Sequence, residues 1–159
     1  MSLIGGEENP ALRAAPDSPV ITLVERAAVT IEAGASLADA ARLMRLEGVS
    51  SVLVNGGMAI ATERDISRGI GAGVAPEEKV GTVATPHPVV VDGSLSVAKC
   101  AGIMLHEEIR HLIVRMPDGS AGVVSLRDVA AVMLRNVEIE PRRPIRRESG
   151  SIPSEAWLG

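Results

Sequence analysis

The stretch Gly122-Val123-Val124-Ser125-Leu126-Arg127-Asp128, continuing into Val129-Ala130-Ala131-Val132-Met133, reads as a short apolar strand that stops at a hydroxyl and turns into a helix. The carboxylate of Asp128 falls in the first turn of that helix. The phrase occurs once before, as Ala59-Ile60-Ala61-Thr62-Glu63-Arg64-Asp65 followed by Ile66. In both copies a hydroxyl residue, two spacers and the end of an Arg-Asp pair occupy one strand-to-helix junction.

Working outward, the chain repeats itself. Val80 follows Val20 by 60 positions, and that register runs without a gap to Val54 and Val114. It matches Thr22 with Thr82, Val29 with Val89, Ser36 with Ser96, Ala41 with Ala101, Met44 with Met104 and Glu47 with Glu107. The hairpin Asn55-Gly56-Gly57 then becomes the longer Arg115-Met116-Pro117-Asp118-Gly119, and the offset changes to 63. Thr62 now meets Ser125, Arg64 meets Arg127 and Asp65 meets Asp128. Two copies of one supersecondary unit are therefore expected to pack as pseudo-symmetric halves, because one copy has too little apolar surface for its own core.

Local signals give the order of elements. Ser18-Pro19 predicts a short helix over 20–26, and Val29-Thr30-Ile31 a strand. Ser36 with Asp39 predicts a capped helix whose buried stripe is Leu37, Ala40, Ala41, Leu43 and Met44, ended by Gly48. Ser51 to Val54 and Met58 to Ala61 read as a hairpin, followed by a helix from Thr62 to about residue 69. Pro76-Glu77-Glu78 predicts the start of a new short helix. The expectation is an α/β (α+β) fold of helix-strand-helix-strand-strand-helix units, each with a small three-stranded sheet. The divisions are an arm at 1–17, repeat 1 at 18–75, repeat 2 at 76–136 and an Arg/Pro-rich tail at 137–159.

Composition narrows the function. The 159 residues are 46% hydrophobic yet contain no Phe and no Tyr, and Trp157 is the sole aromatic residue. Such a chain lacks the stacking platforms on which single-stranded nucleic acid is held. Its net charge of −4 gives no general attraction to phosphate backbones or anionic membranes. Cys100 is the single cysteine, which excludes an internal disulfide and reads as core filler. His87, His106 and His111 lack metal-site spacing, and nothing assembles a nucleophile with its base, so neither a metal site nor catalysis is expected. No signal peptide or apolar run long enough for a bilayer is visible, and the expected location is the cytoplasm.

These features resemble a tandem pair of CBS domains, a Bateman module, over about residues 20–134. The phrases that carry the resemblance are the leader Thr85-Pro86-His87-Pro88-Val89, the helices Ala40-Ala41-Arg42-Leu43-Met44 and Cys100-Ala101-Gly102-Ile103-Met104, and the two Thr/Ser-x-x-Asp junctions. The resemblance implies a regulatory module, not an enzyme, with AMP, ADP, ATP or S-adenosylmethionine as ligand and no further cofactor. It implies that Asp65 and Asp128 accept ribose hydroxyls, that Thr62 and Ser125 meet phosphate or ribose oxygens, and that Arg110 and His111 supply basic groups. Arg64 and Arg127 fall within the same junctions. Repeat 2, with Gly122 and both basic residues, is expected to supply the better cleft, because repeat 1 has Ala59 and Ser50-Ser51 in those places. A homodimer and an effector protein of unknown identity are the implied partners.

Two other readings stay open. The Thr62/Asp65 and Ser125/Asp128 spacings also suit plain capping boxes, as in a ligand-free dimeric scaffold. Arg135, Arg142, Arg143, Arg146 and Arg147 could make the tail a nucleic-acid contact, while Ile152, Trp157 and Leu158 could anchor it to a neighbouring subunit.

Overall fold

A computed structural model describes residues 13–135, which carry two small sheets and four helices. In repeat 1, β1 (Thr30–Ile31), α1 (Leu37–Glu47), β2 (Ser51–Val54), β3 (Ala59–Thr62) and α2 (Glu63–Gly71) follow in order. Next come β4 (Thr85–Pro86), β5 (Val90–Asp92), α3 (Val97–His106), β6 (His111–Arg115), β7 (Ala121–Ser125) and α4 (Leu126–Met133). This is the expected mixed architecture. In each sheet the first strand runs parallel to the second, across the crossover helix, and the hairpin strand is antiparallel.

The departures are local. A single 3-10 turn at Val20–Leu23 replaces the expected helix over 20–26, with Pro19 rather than Ser18 at its cap. The equivalent 3-10 turn in repeat 2 is Val80–Thr82, so the helix expected from Pro76 starts four residues late. Within α1, Leu37, Ala40 and Met44 are buried and Leu43 is half-buried, but Ala41 is exposed. The hairpin at Asn55–Gly57 holds three successive residues at positive φ (49°, 67° and 100°), a path that Asn and Gly accept most readily. The first sheet has four strands rather than three, in the order β1-β2-β3-β4, because the leader of repeat 2 adds β4 at its edge. An edge tolerates Pro86, which has no N–H to give to the ladder.

That fourth strand is part of a reciprocal exchange. Val80 N–H donates to the Ala35 carbonyl (2.7 Å) and Leu37 N–H to the Glu78 carbonyl (2.9 Å). Sixty residues apart, Val20 N–H donates to Leu95 (2.7 Å) and Val97 N–H to Ser18 (3.0 Å). Each leader thus packs on the other repeat. Ala14, Val20 and Leu23 join the core of Val91, Val97, Cys100, Met104, Leu112, Val114, Val124, Val129 and Val132. Val80, with Val83 and Ala84 beside it, closes the core of Ala40, Met44, Val52, Val54 and Ala61. The two sheets meet through Leu53, Ile60 and Ile113, and Ile60 also lines one of the clefts.

Candidate functional site

Both junctions fold as capping boxes. Thr62 Oγ1 accepts from Asp65 N–H (3.2 Å), while Asp65 Oδ2 accepts from Thr62 N–H (2.9 Å) and the Thr62 hydroxyl (2.7 Å). Ser125 and Asp128 repeat the arrangement at 3.3, 2.8 and 2.6 Å. In each case one carboxylate oxygen does all the capping. The other, Oδ1, has no hydrogen-bond donor among the described residues and remains an acceptor.

A third copy of the motif serves as an internal control. Ser36 and Asp39 form the same box at the start of α1, but Asp39 Oδ1 is bound to Arg42 at 2.8 Å. Asp39 lines neither cleft, whereas Asp65 and Asp128 line one each. The spacing alone therefore encodes a cap. A second oxygen without a donor, on a residue that lines a cleft, is what sets Asp65 and Asp128 apart.

The cleft holding Asp128 has a volume of about 810 Å³ and the one holding Asp65 about 760 Å³. Leader exchange decides what surrounds each carboxylate. Asp128 and Ser125 face the repeat 1 leader at Arg26 to Val29, together with Val49 and Ser50. Asp65 and Thr62 face the repeat 2 leader at Thr85 and His87 to Val89, together with Ile109 and Arg110. Arg110 and the leader Thr85, His87 and Pro88 share a repeat with Asp128 but line the cleft of Asp65. Each cleft draws its parts from both repeats.

Several residues belong to both clefts. Ser50, Glu63, His111, Ser125 and Arg127 line the two, whereas Arg64 lines only the Asp65 side. His111 Nε2 lies 2.9 Å from the Ser50 hydroxyl, a bond between the repeats at the junction of the cavities. Burial holds His111 below the ordinary histidine pKa, helped by the Arg110 charge and opposed by Asp128, Asp65 and Glu63. Arg68, absent from the residues expected at the site, lines the Asp65 cleft four residues after Arg64. That i, i+4 spacing on one helix was the available signal.

Backbone donors are scarcer than a bare helix N-terminus suggests. Glu63 N–H donates to the Ser50 carbonyl (3.0 Å) and Leu126 N–H to the Arg110 carbonyl (2.7 Å). With the Asp65 and Asp128 N–H groups taken by the cap hydroxyls, two of the first three N–H groups of α2 and of α4 are engaged. The hydroxyl protons are also committed, to Asp Oδ2. Anion binding in these clefts must therefore come chiefly from guanidinium groups.

No group of His, Cys, Asp and Glu suited to a metal ion occurs among the described residues, and burial pushes the Cys100 thiol pKa up. No helix among them is long and apolar enough to cross a membrane. Arg135 donates to the Ala14 carbonyl (2.9 Å), while the arm before residue 13 and the tail after 135, with Arg142, Arg143, Arg146, Arg147 and the apolar anchors, lie outside the described residues.

A family model described as CBS domain matches residues 80–135. No curated protein matches the chain. Among solved structures, a CBS domain protein from Pyrobaculum aerophilum complexed with AMP is 24% identical, with a TM-score of 0.64 over 74% of this chain and 96% of its own. A putative signal-transduction protein with CBS domains from Burkholderia ambifaria is also 24% identical, with a TM-score of 0.65 over 82% and 96%. The CBS domain pair of protein MJ0100, in complex with 5′-methylthioadenosine and S-adenosyl-L-methionine, is 16% identical, with a TM-score of 0.66 over 74% and 97%. At these identities the likeness establishes the fold.

Proposed function

Residues 80–135 are a CBS domain and the described residues have the fold of a CBS pair, and from that premise we propose that the protein is a non-catalytic sensor of adenosine derivatives. The observation that carries the reading is that Asp65 and Asp128, at equivalent places in the two repeats, each line a cleft and each keep one carboxylate oxygen, Oδ1, without a hydrogen-bond donor among the described residues. A carboxylate oxygen with no protein donor suits the two adjacent hydroxyls of a ribose. Relatives of the same fold crystallised with AMP, 5′-methylthioadenosine and S-adenosyl-L-methionine support the choice of ligand class.

In this reading Asp65 and Asp128 accept from ribose hydroxyls, and the Thr62 and Ser125 oxygens each take one further donor without breaking their caps. Ligand seated between the repeats changes their relative position to the extent that it binds one arrangement better than another. The change is passed to an effector protein, with the module acting as a homodimer in the cytoplasm.

Calorimetric titration with AMP, ADP, ATP and S-adenosylmethionine is the test. Binding should be lost in an Asp65→Ala/Asp128→Ala double variant and retained in Asp39→Ala, although every one of these changes removes a cap costing about 0.5–2 kcal/mol. Absence of binding by all four compounds at millimolar concentration overturns the reading. The second reading, a ligand-free scaffold, is favoured by the Ser36/Asp39 box, which shows that the motif caps without a ligand cleft. It predicts loss of stability in both variants and no binding in any protein.

A further inference from the structure

The two clefts are opposite in their balance of charge. On the Asp65 side Arg64, Arg68, Arg110 and Arg127 stand against Glu63, Asp65 and Glu108. None of those four guanidiniums has an ion-pair partner among the described residues. On the Asp128 side Arg26, Arg45 and Arg127 stand against Glu25, Glu47, Glu63 and Asp128. Arg26 is also neutralised there, by a salt bridge to the Glu47 carboxylate at 3.1 Å and a second bond to the Glu47 carbonyl.

We propose that the clefts take different adenosine derivatives: the Asp65 cleft those with a 5′-di- or triphosphate, the Asp128 cleft those with an uncharged or cationic 5′ substituent. The inference rests on the adenosine reading above and deepens it. Each phosphate brings negative charge that free guanidiniums can bind in bidentate fashion. Helix N–H groups cannot substitute for them, since most of the first-turn donors are engaged within the fold. A polyphosphate on the Asp128 side would meet an excess of carboxylates and an arginine already paired, whereas a neutral or positive substituent meets a favourable field. Arg127 borders both clefts and is available to only one phosphate chain at a time.

The experiment is calorimetry on the full chain with AMP, ADP, ATP and 5′-methylthioadenosine, at low and high salt. Affinity should rise from AMP to ATP, and this rise should shrink at high salt. An Arg68→Gln/Arg110→Gln variant should lose at least tenfold in ATP affinity and keep its affinity for 5′-methylthioadenosine. Both side chains are exposed and unpaired, so its melting temperature should not move. Asp128→Asn, which can still cap, should weaken 5′-methylthioadenosine and spare ATP, and Asp65→Asn should do the reverse. The proposal is overturned, with the adenosine reading intact, if affinities ignore phosphate number or if Asp128→Asn is the change that removes ATP. If no adenosine compound binds at all, the underlying reading fails and takes the proposal with it.

Discussion

Gly122 shows how closely one residue can tie the repeats together. A Cβ placed there would lie 2.3 Å from Val24 Cγ1 and 3.0 Å from Val24 Cγ2, so the repeat 1 leader reaches β7 only because that atom is missing. The equivalent positions in the other half are Ala59 and Ala84, where the smaller side chain has moved to the leader. Gly122→Ala is expected to cost about 1–3 kcal/mol by overpacking. Adding Val24→Ala should restore most of it, as denaturant titration of the single and double variants would show. His111 gives a second prediction at this scale. Its folded-state pKa lies below the ordinary value of about 6.5, so folding favours the neutral ring. The contribution is full above pH 6.5 and declines as pH falls through the depressed pKa, where the unfolded chain binds the extra proton. Wild-type melting temperature should therefore drop more steeply than that of His111→Gln between pH 7 and pH 5.

At the scale of elements, the leaders are integral to the cores. Val20 is fully buried among the side chains of repeat 2, and Val80 among those of repeat 1. Val20→Ala should cost about 2 kcal/mol. Its signature should appear across the chain from the change: hydrogen exchange should accelerate in β6 and β7 while β2 stays protected. This also explains what the sequence could and could not disclose. The register of 60 exposed the repeats, and Ser36, Thr62 and Ser125 marked three helix starts, because these depend on residues close in sequence. That Arg110 lines the same cleft as Asp65 depends on how the two halves meet, and no local pattern carries that information. Equally, Ser36-x-x-Asp39 and Thr62-x-x-Asp65 read alike until Arg42 is seen on one carboxylate and a cavity beside the other.

At the scale of the molecule, the traded leaders make the pair a single folding unit even though its sequence is two. A lone unit would have to find a second one at whatever concentration the solution offered, since its leader belongs in its neighbour. The covalent link through Gly71, Ala72 and Gly73 replaces that search with an effective concentration in the millimolar range. Fragments 1–73 and 74–159, produced separately and mixed, should regain a cooperative melting transition, with a midpoint that rises more steeply with protein concentration than that of the intact chain. Tethering of this kind lets the contact between the halves be weak without falling apart. The joint at Leu53, Ile60 and Ile113 is then free to be tuned for movement rather than for grip.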